Sequence, residues 1–351
     1  MTDADLDSIS PRWEPTRTHV FAVGILEYAD KVHWPLEGRR DAVLMDALRA
    51  RGVPASQVTF LTDAQGTMSG YEHGLAATLE RTRPGDQLIL YYAGHGSRDP
   101  KHGGGAFRLR DGRLPVAQIF AWIERRFRGR QAILTADCCY SGALALEAPL
   151  RAGRVAYAAL GSSLSTVTST GAWTFTNCWI DAIEGRKPVD LDGDGILRLD
   201  ELARYAERRL GFIDGQVSSF TVANGFPSTF ELGRTRPRRH PREGEFVEAP
   251  NLEGDRVRAE IVDAASEACV RVRLVEDDLV CEIAEADLRP WAPAMLPAGT
   301  TVRVRFGDKR YDGEVLTARN GMHLVRYLGW DESWDEWVSP DRIVDTIAAR
   351  T

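Results

Sequence analysis

Residues 134–144 read LTADCCYSGAL, an apolar run that ends in an acid, two adjacent cysteines and a Ser-Gly turn. A short apolar run closed by turn residues predicts a buried strand. Successive side chains of a strand face opposite sides, so Cys138 and Cys139 look into different spaces and cannot share a role. By the same alternation Asp137 points to the side of Cys139.

Outward from this run, strand-like and helix-like segments alternate up to about residue 230. HVFAVGILEY (19–28), QVTFLTD (57–63) and DQLILYYAGHGS (86–97) read as strands, as do RVAYAALGSS and QVSSFTVANG further on. GRRDAVLMDALRARG (38–52), YEHGLAATLERTRPG, LPVAQIFAWIERRFRG, TFTNCWIDAIEG and LDELARYAERRLG read as helices. That alternation predicts an α/β fold, a mostly parallel sheet covered by helices on both faces. In such sheets chemistry gathers at the carboxyl ends of strands. Two of those ends carry reactive residues, YYAGHG with His95 and DCCYSG with Cys139.

Composition narrows the function class. A chain of 351 residues exceeds one ordinary core, so two or three domains are expected. Five cysteines at scattered positions make neither a disulfide framework nor a CxxC metal pattern, and free thiols suit a reducing compartment. The net charge of -7 disfavours nucleic acid as the main partner. The N-terminal MTDADLDSISPRWEP lacks a basic-then-apolar signal and no apolar run reaches bilayer length, so the expected location is cytoplasmic, without a membrane partner.

A thiol nucleophile needs a nearby imidazole, donors for a developing oxyanion and a pocket for the substrate side chain. His95 can supply the first, and the N–H groups of Gly96 and Cys139 the second. The glycines beside His95 would let a substrate backbone come close. Taken singly, a strand cysteine is more often a small core residue and a lone histidine structural; their paired placement at strand ends raises the catalytic reading.

These residues resemble the caspase-like cysteine peptidases, in particular bacterial metacaspase-like members. YYAGHGS resembles the family's histidine block, and DCCYSG its cysteine block, usually D-S-C-H-S-G. PLEGRRDAVLMDALRARGVPASQVTFLTDA resembles a further block, and the likeness covers residues 15–232. The resemblance implies Cys139 as nucleophile and His95 as general acid/base, with Cys138 at the family's Ser position facing the core. Tyr140 departs from the usual His and Ala93 from a pocket Ser. It further implies Asp41 and Asp137 as pocket acids, and two carboxylates select Arg or Lys before the cut. Asp41 could instead merely cap or solvate its helix.

DLDGDGILRLDE (190–201) fits the EF-hand loop D-x-D-x-D-G-x-hydrophobic-x-x-x-E at each position. Asp190, Asp192, Asp194 and Glu201 would give carboxylate oxygens to Ca2+ and Ile196 its carbonyl, with Gly195 making the turn. The incoming helix ends near Gly185, so a loop plus one helix is expected, regulatory or structural.

GRTRPRRHPREGE (233–245) is rich in Pro, Arg and Gly and predicts an exposed flexible linker over 233–247. After it come short β-type runs with a weak repeat: RAEIVDA, VRVRL and ADLRP (258–290) parallel DGEVLTA, HLVRY and PDRIV (312–344). Two tandem five-stranded SH3-like barrels, over 248–292 and 293–351, follow. The second, with YLGWDESWDEWV, resembles the chromo-barrel or Tudor-knot family, which implies an aromatic cage of Tyr311, Tyr327, Trp330 and Trp334 for methylated lysine, with Trp337 in the core. A protein-docking surface without methyl recognition and a purely structural barrel remain open, while the first barrel lacks these aromatics.

The expected activity is therefore a cysteine endopeptidase cutting proteins after Arg or Lys, with 1–232 as its peptidase domain. The resemblance implies regulated proteolysis in bacterial stress, cell death or antiviral defence. Activation by calcium or by a processing protease is expected, with Arg108, Arg110, Arg234 and Arg239 as exposed-looking cut sites. A catalytically silent scaffold whose barrels bind a protein partner is the alternative.

Overall fold

The structure is a computed structural model and describes residues 9–28, 38–98, 104–164, 173–237, 240–266, 268–275, 279–293 and 295–347. The chain divides into two compact units, Met1–Ala206 with Ser218–Arg236, and Glu207–Val217 with Pro237–Thr351.

The first unit runs β1 (Thr18–Gly24), α1 (Arg40–Ala50), β2 (Val58–Thr62), α2 (Met68–Glu80), β3 (Gln87–Ala93), β4 (Gly96–Arg98), β5 (Gly105–Arg108), β6 (Arg113–Pro115) and α3 (Val116–Arg126). It continues with β7 (Gln131–Asp137), α4 (Ala143–Glu147), β8 (Ala156–Gly161), α5 (Thr174–Glu184), β9 (Ile196–Arg198), α6 (Leu199–Ile213), β10 (Ser219–Ala223) and β11 (Glu231–Arg234). Six strands form the main sheet in the order β10-β8-β7-β3-β1-β2. All neighbours in it are parallel except the edge strand β10, which runs antiparallel to β8. The mixed α/β fold expected from the alternation is therefore present.

Burial on both faces explains why β1, β3 and β7 read as continuous apolar runs, since every residue of each is buried. Phe21, Val23, Leu90, Tyr92, Leu134, Ala136 and Cys138 share one core cluster with Tyr71 and Leu75 of α2 and Phe120 and Ile123 of α3. The opposite face holds Tyr91 and Asp137, which meet Thr176 of α5.

Two expectations about cut sites change. Around Arg108 and Arg110, expected to be exposed, β4, β5 and β6 form a three-stranded sheet, with Gly96 paired to Phe107. Arg108 closes β5 and is half-buried, its N–H bonded to the His95 carbonyl at 2.9 Å, and the Arg110 N–H bonds the Gly66 carbonyl at 2.9 Å. The expected linker also starts late, because Arg234 is the last residue of β11, exposed but paired with Ile196 of β9. A protease needs an extended chain lifted free of such ladders, so these three arginines are poor cut sites in the folded state; Arg239 lies outside the described residues.

The second unit carries β12 (Phe246–Pro250), β13 (Arg256–Ala264), β14 (Cys269–Leu274), β15 (Val280–Ala284) and β16 (Arg289–Pro290), then β17 (Thr301–Phe306), β18 (Lys309–Arg319), β19 (Met322–Tyr327), β20 (Glu336–Val338) and β21 (Ile343–Ile347). Each set of five makes one antiparallel sheet in which four strands meander and the fifth pairs back on the first. Register shifts fall at equivalent places, after Ile261 in β13 and after Val315 in β18. A 3-10 turn precedes the last strand in both, at Glu285–Asp287 and Pro340–Arg342. The weak sequence repeat is thus a repeat of structure, with separate small cores around Ile261 and Val272 and around Val315 and Val325.

Candidate active site

Register builds the site. Ala93 of β3 pairs with Asp137 of β7, so His95 and Cys139 each lie two residues past the same rung on adjacent strands. Gly96 rests directly on the nucleophile turn: a β-carbon there would lie 1.8 Å from the Cys139 carbonyl oxygen and 3.1 Å from Cys138 Sγ. Gly94, at φ +150°, is equally confined, with a β-carbon falling 2.6 Å from Tyr28 Oη and 2.9 Å from Tyr92 Oη. The flanking glycines are therefore required by contacts within the chain, not by a substrate backbone.

His95 is held at both ends of its backbone. Its N–H donates to Tyr28 Oη (2.7 Å), and its carbonyl accepts from Tyr92 Oη (2.8 Å) and from the Arg108 N–H. The Tyr28 ring lies 4.7 Å from the imidazole, and burial pushes the Tyr28 phenol up to about 12, so it stays a neutral hydroxyl. The β4–β5 register places the ladder bonds on the His95 carbonyl and leaves the Gly96 N–H off that ladder.

Cys138 and Cys139 part as the alternation requires. Cys138 is wholly buried, and burial pushes its thiol well above its ordinary range; Cys139 is half-buried. Directly after, Tyr140 takes a left-handed conformation (φ 59°) that turns the chain. Ser162 and Ser163, just beyond β8, clamp this turn: Ser162 Oγ accepts the Cys138 N–H at 3.1 Å, Ser163 Oγ donates to the Cys138 carbonyl at 3.0 Å, and the Ser163 N–H donates to Ser141 Oγ at 3.0 Å. Sequence reasoning passed over Tyr28 and these two serines, whose only signal is their place after a strand end.

Asp137 is buried and accepts from Thr176 Oγ1 (2.7 Å) and the Thr176 N–H (3.2 Å). Burial raises its carboxyl above the ordinary value despite those donors. Asp41, fully buried, is not open: Arg39 meets it with a fork, Nε to Oδ1 at 2.8 Å and Nη2 to Oδ2 at 2.7 Å. Arg39 Nη1 also reaches Asp63 Oδ2 at 2.6 Å. Asp63 accepts the N–H groups of Leu26 (2.8 Å) and Glu27 (3.1 Å), so although burial alone would raise its carboxyl, these donors and Arg39 bring it below the ordinary range.

In the 190–201 loop, oxygens of Asp190, Asp192 and Asp194 lie within 4.8 Å of one another. Gly193 and Gly195 hold φ of +81° and +87°, and Asp190 takes the N–H groups of both, at 2.7 and 2.9 Å. Ile196 opens β9 and donates its N–H to Asp194 (2.8 Å), while Glu201 folds back onto the N–H groups of Leu191 (2.8 Å) and Arg198 (3.0 Å). A cluster of hard carboxylate donors on this turn fits calcium. Lys187 contacts Asp190, and Arg198 contacts Asp194 at 2.6 Å, so a bound cation would displace two protein cations. The strand partner that a second loop gives a paired EF-hand comes here from β11.

On the last β sheet Tyr311 lies edge-on to Tyr327 (5.9 Å) and to Trp330 (6.1 Å), and Trp330 to Trp334 (4.8 Å). Trp330 and Trp334 are 45% and 53% exposed, whereas Tyr327 at 7% belongs to the barrel core with its hydroxyl on Glu336. Trp337 is outside that core, half-buried beneath the Arg319 guanidinium at 4.8 Å. A hollow lined by Arg303, Arg310, Tyr311, Asp312 and Leu328 adjoins the aromatic group.

Burial and thiol character separate the cysteines experimentally. Brief alkylation of the native full chain followed by peptide mass spectrometry is expected to modify Cys139 and spare Cys138 and Cys178 until denaturant is added; equal native labelling of Cys138 would contradict the described turn.

No family model matches the chain. A stretch of 62 residues is 34% identical to the chromatin modification-related protein EAF3 of Candida glabrata, and the chain spans only 18% of that relative's length, using 18% of its own. Among the described residues no helix is long and apolar enough to cross a membrane. Solved structures similar to this chain include protein GSU0716 from Geobacter sulfurreducens, 15% identical with a TM-score of 0.45, covering 63% of this chain and 100% of that one. They also include the Drosophila initiator caspase Dronc, 12% identical with a TM-score of 0.42, covering 64% of this chain and 85% of that one.

Proposed function

We propose that this chain is a caspase-like cysteine endopeptidase that cuts proteins after Arg or Lys, with Cys139 as nucleophile and His95 as general acid/base. The observation that carries this reading is the placement of His95 and Cys139 two residues beyond the same rung of adjacent parallel strands, with Gly96 seated on the Cys139 carbonyl. The Cys139 thiolate attacks the scissile carbonyl, and the N–H groups of Gly96 and Cys139 receive the oxyanion. Collapse of the tetrahedral intermediate breaks the C–N bond as His95 gives its proton to the leaving amine. His95 then takes a proton from water, which attacks the thioester and frees Cys139.

Asp137 and Asp41 supply the charge complement for a basic side chain before the cut. Calcium at Asp190, Asp192, Asp194, Ile196 and Glu201 would fix the turn that carries β9. The exposed Trp330 and Trp334, with the half-buried Tyr311 edge-on to Trp330, suit a methylated lysine, which binds by cation–π attraction. This would recruit substrates or an activator to the C-terminal barrel.

Fluorogenic peptides ending in Arg, Lys or Asp decide the activity. Cleavage after Arg and Lys is expected, with a loss of about 10³-fold or more in Cys139→Ala and in His95→Ala; cleavage only after Asp, or undiminished in Cys139→Ala, would refute the reading. Because Asp137 ionises above the ordinary carboxylate range, KM for an arginine peptide should fall as pH rises through its folded-state value. Melting with added calcium and with chelator tests the loop: calcium should raise the Tm, and Glu201→Gln should abolish the increment. For the barrel, a trimethyl-lysine peptide should bind the full chain about 5-fold or more tighter than Trp330→Ala, and equal binding to both would remove the cage from the account.

A further inference from the structure

We propose that Arg39 is a specificity-determining residue that competes, from within the chain, with a substrate arginine for Asp41. The inference rests on the reading of Asp41 as an acid of the substrate pocket. Arg39 makes with Asp41 the two-bonded fork that an arginine before the cut would make, through Nε at 2.8 Å and Nη2 at 2.7 Å. The Asp41 side chain is 0% exposed beneath it, while that of Arg39 remains 22% exposed. A guanidinium arriving from solvent can therefore reach Asp41 only by displacing Arg39.

The surroundings permit that displacement. Arg39 is the N-cap of α1, so its N–H lies outside the helical ladder and its side chain leaves from the end of the helix. Its remaining partners are Asp63 Oδ2 at 2.6 Å and the Gly24 carbonyl at 3.0 Å, and Asp63 offers an alternative seat once Asp41 is surrendered. The floor of the cradle is the Gly24 backbone, where a β-carbon would fall 1.8 Å from Asp41 Oδ2. Gly24 pairs with Ala93, and Ala93 with Asp137, so the Gly24 backbone beneath Asp41 lies on the same rung as Asp137, two strand spacings or about 10 Å along it. Both acids lie near Tyr91, whose ionisation is opposed first by burial and then by the charges of Asp137 and Asp41. An arginine that enters at Asp137 thus meets a second acid that is already satisfied. Recognition of Arg is weakened relative to a site with two open carboxylates, and the barrier is the exchange of one guanidinium for another.

Arg39→Gln and Arg39→Lys in the full chain test this. With an arginine-ended fluorogenic peptide, KM is expected to fall about 10-fold in Arg39→Gln and by less in Arg39→Lys, which keeps the charge but cannot form the fork, with kcat within about two-fold of wild type. In the Cys139→Ala background, agmatine, a small guanidinium amine, should bind Arg39→Gln about 10-fold more tightly by calorimetry. An unchanged or higher KM, with unchanged or weaker agmatine binding and a wild-type Tm, overturns the proposal and leaves Arg39 a structural strut. Absence of turnover in every variant would refute the endopeptidase reading alone, and agmatine binding would then decide the role of Arg39. Should Arg39→Gln not fold, Arg39→Lys supplies the same comparison.

Discussion

The carboxyl edge of the first sheet depends on one backbone contact, Gly96 against the Cys139 carbonyl. No side chain fits between them, so the segment after β3 and the turn after β7 are forced into register beyond the last ladder bond. The tyrosine hydroxyls complete the constraint, because Tyr28 and Tyr92 take the N–H and the carbonyl of the same residue, His95. Ser162 and Ser163 hold the other strand end in the same manner. Such a network is expensive to break, since each buried group left without its partner costs roughly 1–3 kcal/mol. The backbones that carry the imidazole and the thiol are thus fixed by buried polar bonds.

Charge at this edge is more compensated than the acids alone would suggest. Asp41, Asp63 and Asp137 gather around the ends of β1 and β7, and each has its own donor: Arg39 serves the first two and Thr176 the third. The environments then diverge. The N–H groups and the guanidinium at Asp63 keep its carboxylate ionised, whereas burial outweighs the donors at Asp137 and favours its neutral form. These two acids at one sheet edge therefore answer pH differently, with Asp137 gaining charge later as pH rises.

Strands and helices of the first unit were legible because burial on both faces writes itself as continuous apolar runs, as in QLILYYA and QAILTAD. The parting of Cys138 from Cys139 followed from strand alternation alone. What escaped had no periodic signal. The three-stranded sheet of β4, β5 and β6 has strands of three or four residues, too short for any pattern to show. Arg39 stands two residues before Asp41, but a fork onto a buried carboxylate is fixed in three dimensions and leaves no trace in spacing. Trp337 was expected in the barrel core because it is large and apolar, yet β20 turns it toward Arg319. The barrel repeat was visible through Ile261 and Val315, the residues at which both sheets shift register.

Sequence composition changes at the Arg/Pro stretch after residue 232, and the chain passes from the first unit to the second within that stretch, between Arg236 and Pro237; the grouping of Glu207–Val217, which begins inside α6, with the second unit left no such mark. The helix is amphipathic throughout, so its periodicity gives no hint that it serves two cores. Leu199, Leu202, Ala203 and Ala206, which bracket the acid Glu201, are buried and fall in the first unit. Past Ala206 the helix belongs to the second unit: Arg209 makes a buried ion pair with Glu260 at 2.7 Å, and Phe212 stacks on Phe246 at 4.1 Å and meets Trp291 edge-on at 4.6 Å. Removing Arg209 would take the guanidinium from a buried carboxylate, the costly half of breaking such a pair. A cut at residue 232 would therefore separate the β sheets from Glu207–Val217, which complete their unit, and a C-terminal piece that keeps the unit whole must begin by Glu207 and carry Ser218–Arg236 of the first unit with it.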